Sequence, residues 1–352
     1  MKKSNTHTLK QTQPIYILAL VIVLTLAFPL SALANSPTQP MTLVVLGDSI
    51  AWGASAPAGQ GYASLVANDQ NMVLINRAVG GWRTEHVINQ LKTDPVTQEA
   101  VKAAGVIQIA IGGNDLQQAG YVGPAIDALV RGDASVWDQH CENIAGRFAQ
   151  IVELVRELNP KAPFFVFNSY TPDYKRFGDN EISVGGTEAL TGNSLYTLAQ
   201  NYAIPRFNST YIEYLRHHPG AFILVDIFDA FPGNASFYFG SGSDTIHPSA
   251  AGHEKLAERL NAAIDSYNEK NMKVTAAAKI DKMNGNMNLL TITVTESFPL
   301  KPTKTVEVSA LINNNSAGYY SVGKYTVYVD TKGNTQIRAC YIVPFATSIN
   351  GV

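Results

Sequence analysis

Residues 42–49 read Thr42-Leu43-Val44-Val45-Leu46-Gly47-Asp48-Ser49. Five apolar or β-branched residues in a row are too short for a helix. With no polar alternation they suit a strand buried on both faces, as in a parallel sheet. The Gly-Asp-Ser turn that follows stands at the carboxyl end of that strand, where open parallel sheets place their ligands. Taken alone, the triplet reads equally well as a tight turn with a helix cap.

The pattern repeats downstream. Met72 to Asn76, Val106 to Ile111, Pro163 to Asn168 and Phe222 to Ile227 are further short apolar runs, and helical patterns separate them. Strand and helix in alternation predict a five-stranded parallel sheet with helices on both faces, an α/β class fold. Ile144, Phe148, Ile151, Val152, Val155 and Leu158 recur at spacings of three and four and define one amphipathic helix, which Asn159-Pro160 ends. Two segments, Leu116 to Val136 and Asp173 to Thr191, are long for connections; they read as lids or binding loops, or as surface insertions with helical turns of their own.

Past Asn271 the period becomes two. Leu290-Thr-Ile292-Thr-Val294-Thr and Tyr325-Thr-Val327-Tyr-Val329 alternate apolar with polar residues, and Asn284-Gly285 and Lys332-Gly333-Asn334 supply turns. Residues 271–352 therefore read as a small antiparallel β domain behind an α/β domain spanning 35–270. The role expected for that β domain is a structural accessory, ahead of carbohydrate binding through Tyr319, Tyr320, Tyr325 or Tyr328.

Lys2, Lys3 and Lys10, the apolar run Ile15 to Leu30 and Ala32-Leu33-Ala34 have the form of a secretory signal peptide over residues 1–34, with an uncleaved anchor as the competing reading. Cleavage would leave 318 residues with 23 basic against 28 acidic side chains. The expected location is secreted or periplasmic, with no stable membrane span after cleavage. No Lys/Arg-rich run offers a phosphate-binding face, so nucleic acid is not an expected partner. Cys141 and Cys340 are in no metal-ligand spacing; they form one disulfide or remain two buried thiols.

Chemistry concentrates in four blocks. After Gly47-Asp48-Ser49, the loop Asn76-Arg77-Ala78-Val79-Gly80-Gly81 follows the second strand. Gly112-Gly113-Asn114-Asp115 follows the third, and Asp244-Thr245-Ile246-His247 precedes a helix that starts near Ser249. An acid three residues before a histidine can hold the imidazole in one tautomer, and that imidazole can take the proton of a serine. Gly81 and Asn114 stand where donors to a developing oxyanion are needed. Of the remaining histidines, His86, His217, His218 and His253 read as solvated helix residues, and Trp52 and Trp82 as pocket-lining or packing side chains.

These four blocks, in this order, resemble the SGNH hydrolases, the GDSL-type esterases and lipases. The resemblance covers roughly Thr42 to Leu260 and implies a flavodoxin-like three-layer α/β/α fold. It assigns Ser49 as nucleophile and His247 as base, with Asp244 orienting it, and gives the oxyanion hole to Ser49, Gly81 and Asn114. The doublet Gly80-Gly81 leaves the second donor open by one position, Gly81 being chosen from its distance to Asn76. Asp48 and Asp115 are expected to fix loops and not to carry protons. The implied activity is hydrolysis of a small-molecule, lipid or glycan acyl ester without metal or cofactor. The alternatives are a glycan O-acetyl esterase, a non-catalytic exported glycan-binding protein, and a two-metal phosphoesterase built on Asp48, Asn114, Asp115, Asp244 and His247.

Overall fold

In the computed structural model, residues 40–340 are described except 119, 184–188, 232–234, 284–286 and 314–316. The proposed signal peptide and the Asn284-Gly285 turn lie outside the described residues, as does the side chain of Cys340; Cys141 is buried in the core. The strands in chain order are β1 (Thr42–Gly47), β2 (Val73–Asn76), β3 (Val106–Ala110), β4 (Phe164–Phe167), β5 (Glu181–Ile182), β6 (Leu190–Thr191) and β7 (Ile223–Val225). Five of them form one parallel sheet in the order β2-β1-β3-β4-β7, each within one or two residues of its expected place.

Alternation along each strand divides the core between two layers. Val44 and Leu46 of β1, with Ile107, Ile109, Phe164 and Val166, face the helices Thr84–Thr93, Ser135–Leu158 and Ile204–His217. Leu43 and Val45, with Val106, Phe165, Phe167 and Val225, face the helices Tyr62–Asp69 and Ala250–Lys270. This is the three-layer α/β/α arrangement. Burial of each phenylalanine of β4 contributes roughly 1.5–3 kcal/mol. The helix Ser135–Leu158 buries the stripe expected from its spacing, and Asn159 leaves it in extended conformation at ψ 92°.

The two long segments are insertions with structure of their own. The first contains the helix Val122–Val130; the second holds a 3-10 turn at Tyr174–Phe177 and the small β5–β6 ladder. Beyond Lys270 the strands are β8 (Lys273–Lys282), β9 (Met287–Ser297), β10 (Lys304–Asn313), β11 (Gly318–Val322), β12 (Tyr325–Val329) and β13 (Thr335–Cys340). They make two antiparallel three-stranded sheets whose inner residues, among them Leu290, Ile292, Val294, Val322, Val327 and Val329, share one small core. The β9–β10 connection is tied to the helix Ala250–Lys270, where the Leu300 N–H donates to Asn268 Oδ1 (2.8 Å) and Lys301 pairs with Asp265 (2.6 Å). Among the described residues no helix is long and apolar enough to cross a membrane.

Candidate active site

Strand β1 ends on a residue that only glycine can supply. Gly47 has φ +134°, and a Cβ there would stand 2.0 Å from the Ala110 carbonyl oxygen of neighbouring β3. The chain then turns into a short helix, Ser49–Trp52, capped by the Asp48 carboxylate, which accepts from the Ile50 N–H at 3.0 Å. That cap leaves Ser49 in the first turn, half-buried, where a helix N–H has no intrahelical partner.

The downstream blocks are fastened to this turn by hydrogen bonds. Val79 donates its N–H to the Gly47 carbonyl (3.1 Å), and the Asn76 amide donates to Ala51 O (2.8 Å). Asp115, 1% exposed, accepts from the N–H (2.9 Å) and hydroxyl (2.6 Å) of Thr84 and from Arg147 (3.1 Å). Asp48 and Asp115 therefore hold loops, as expected. Burial pushes the Asp48 carboxyl up to about 7; the Ile50 N–H opposes this and the nearby Asp115 charge adds to it.

Sequence separation of 198 residues closes to a hydrogen bond at the centre. His247 Nε2 lies 3.0 Å from Ser49 Oγ, and its Nδ1 lies 3.1 Å from each carboxylate oxygen of Asp244. A carboxylate can only accept, so Nδ1 carries the proton and Nε2 is left to accept from the serine hydroxyl. Burial works against the Asp244 charge. The Ser55 hydroxyl (2.6 Å), the N–H groups of His247 and Ile246, and the imidazole outweigh it and hold the pKa below the usual carboxylate value.

Asn114 lies beside the glycine loop, donating from Nδ2 to the carbonyl of Trp82 at 2.9 Å. That amide nitrogen has two hydrogens, so one bond fixes the side chain and the second hydrogen remains for another acceptor. The two glycines differ. A methyl group on Gly80 would stand 3.8 Å from Ser49 Cβ, whereas Gly81 holds φ +79° and a Cβ there meets nothing within 4 Å. Replacing Asn114 with alanine is expected to cost about 2.7–4 kcal/mol of transition-state stabilisation, read as a 10²–10³-fold loss in kcat; steady-state kinetics of the folded variant checks it.

Several supporting residues carry no motif. Ser55, held at φ +65°, bonds Asp244 from the loop after the helix Ser49–Trp52. Arg176 donates to three carbonyls of the loop that bears Asp244, those of Gly240 (2.5 Å), Gly242 (2.9 Å) and Asp244 itself (3.1 Å), and also to Asp173 (3.1 Å). Asp173 in turn donates its N–H to Thr245 O (2.9 Å), and Tyr170 donates its hydroxyl to Ile246 O (2.6 Å). Arg176→Ala would leave the 1%-exposed Asp173 carboxylate without its cation, with the Ser236 hydroxyl (2.6 Å) still donating to it. The expected results are a loss of about 3 kcal/mol in stability and a 10- to roughly 100-fold lower kcat, measured by denaturant unfolding and by turnover well below the melting temperature.

His253 corrects an expectation, for it is not solvated. It is fully buried, accepting from the Tyr62 N–H on Nδ1 (3.2 Å) and donating from Nε2 to Ala54 O (3.0 Å); burial pushes its pKa down, which suits this neutral tautomer. His86 is half-buried, accepts from the Arg83 N–H and stacks on Trp82, while His217 and His218 are exposed as expected. Trp52 is 64% exposed and Trp82 half-buried. Among the described residues no three His, Cys, Asp or Glu side chains converge to hold a metal ion.

Residues 45–255, which carry all four blocks, match the GDSL-like Lipase/Acylhydrolase family. The chain belongs to that family. The spore germination lipase LipC of Bacillus licheniformis is 30% identical to it over 234 residues, which are 63% of this chain and 97% of that one. The uncharacterized protein YpmR of Bacillus subtilis is 25% identical over 64% of this chain and 82% of its own length. Among solved structures, the lipase Lip_vut3 from a goat rumen metagenome is 24% identical with a TM-score of 0.47, covering 63% of this chain and 97% of that one. Phospholipase A1 from Streptomyces albidoflavus is 22% identical with a TM-score of 0.44, covering 64% and 99%. The family match ends within the helix Ala250–Lys270, so the C-terminal strands of this GDSL-like chain lie outside it.

Proposed function

We propose that this GDSL-like chain is an exported serine hydrolase that cleaves carboxylic esters through an acyl-enzyme on Ser49. The observation that carries the reading is the unbroken row of hydrogen bonds from Ser49 Oγ through His247 to Asp244. Export rests on the basic and apolar N-terminal segment with its Ala32-Leu33-Ala34 site, and the proposed destination is the periplasm or the exterior.

Ser49 Oγ attacks the ester carbonyl while His247 Nε2 accepts its proton, and Asp244 stabilises the imidazolium without taking a proton itself. The tetrahedral oxyanion is received by the N–H groups of Ser49 and Gly81 and by the free amide hydrogen of Asn114. Collapse expels an alkoxide that His247 protonates. Water, deprotonated by the same histidine, then frees the acid from Ser49.

Purified protein is expected to release p-nitrophenol from short-chain esters faster than acetate from acetylated polysaccharide. Turnover of the polysaccharide alone would move the assignment to a glycan O-acetyl esterase, and binding without turnover of either would move it to a non-catalytic protein.

A further inference from the structure

A mainly apolar cavity of about 110 Å³ is lined by chain neighbours of the reacting groups, while Ser49, Asn114 and His247 themselves stand outside its lining. Asp48 and Ile50 flank Ser49, Gly113 precedes Asn114, and Ile246 precedes His247; all four line it. Its walls are buried side chains of the first long insertion and of the helices after β6, including Leu116, Val122, Ile126, Leu195 and Ile204. The polar ends of two aromatic walls are tied away from the space: Trp137 Nε1 donates to Ala203 O (3.1 Å) and Tyr170 to Ile246 O (2.6 Å). Asp48, Gln117, Asn168 and Ser169 add polar atoms to a lining that is otherwise apolar.

Small residues create the room. Ala199 and Ala203 bound a single π-helical turn between the helices Gly192–Leu198 and Ile204–His217, and both line the cavity. Such turns, which insert a residue into a helix, are frequent at functional sites. A longer side chain at either position would project into the same space.

The geometry points to a short acyl pocket: with the ester carbonyl at Ser49, the tail enters this cavity, and the preferred acyl group has four to six carbons. This inference rests on the ester-hydrolase reading and adds a length limit to it. The limit comes from volume. A dry apolar cavity of about 150 Å³ accommodates the six carbons of benzene, so 110 Å³ takes about four carbons beyond the carbonyl. Within that limit each methylene removed from water raises kcat/KM about fourfold.

The test is a series of p-nitrophenyl esters from acetate to dodecanoate. kcat/KM is expected to rise about 60-fold from acetate to pentanoate and to fall beyond hexanoate. Ala199→Leu is expected to lower the hexanoate-to-acetate ratio at least tenfold, and Ile126→Ala to move the optimum to longer chains. A profile flat or still rising at dodecanoate overturns the pocket, as does an unchanged ratio in both folded variants. Calorimetry of hexanoate binding to Ser49→Ala protein separates the two readings: binding that Ala199→Leu abolishes supports the cavity even if no ester is turned over. Absence of hexanoate binding, together with a flat ester profile, overturns it while leaving hydrolysis intact.

Discussion

Ser49→Ala is expected to lower kcat for a short-chain p-nitrophenyl ester by about 10⁵- to 10⁶-fold, the scale of removing the nucleophile from a serine hydrolase. The fold should survive. Ser49 is half-buried at the start of a four-residue helix whose cap belongs to Asp48, and among the described residues its hydroxyl bonds only the imidazole of His247. Circular dichroism and melting temperature should therefore match the parent within experimental scatter. Because serine and histidine act as one unit, His247→Ala alone and the double variant should show nearly the same residual rate as Ser49→Ala. Additive losses in the double variant would mean that the two groups act separately, which the 3.0 Å contact contradicts.

Asp244→Asn should lower kcat about 10⁴-fold while leaving KM nearly unchanged. The substitution keeps size and shape but replaces an oxygen acceptor with an amide donor. The ring then has reason to move its proton from Nδ1 to Nε2, where it faces the serine hydroxyl with no lone pair to receive a proton. The parent carboxylate remains ionised because Ser55 and two backbone N–H groups hold its pKa low against burial. Ser55→Ala, which removes the 2.6 Å bond without touching the imidazole, should accordingly raise the Asp244 pKa. Stability that the depressed pKa contributes is present above the unfolded-state value and disappears as pH falls through the folded one. The loss of that bond should thus narrow the acid side of the stability profile.

Much of this was legible because it is local. β1 declares itself by five successive apolar or β-branched residues, which suit a strand covered on both faces. Asp244 and His247 are three residues apart, and the acid reaches the ring within a single turn. The Gly80-Gly81 and Asn114 blocks follow β2 and β3, at the strand ends that the parallel sheet gathers. Arg176 and Ser55 escaped because the bonds by which they hold the Asp244 loop span 64 to 189 residues; nothing in the local sequence announces such a distant partner. The cavity escaped for a related reason, since it depends on how several helices pack and on two alanines leaving space.

His253 is different, because a signal was present. It shares the helix Ala250–Lys270 with buried Leu256, Leu260 and Ile264, and its spacing of three and seven from the two leucines puts it on their stripe. A helical position alone said nothing of which face it occupied; the periodicity did. Its burial, with both ring nitrogens bonded across the fold, fastens the Ala54–Tyr62 loop that carries Ser55.

The most direct test of the central claim is covalent. The intact protein, treated with a fluorophosphonate and digested, is measured by mass spectrometry. The account predicts one phosphonyl group per chain, on Ser49 and lost in His247→Ala, with ester hydrolysis falling in step with labelling. A label on a different residue, or full hydrolysis by protein quantitatively labelled at Ser49, would contradict it.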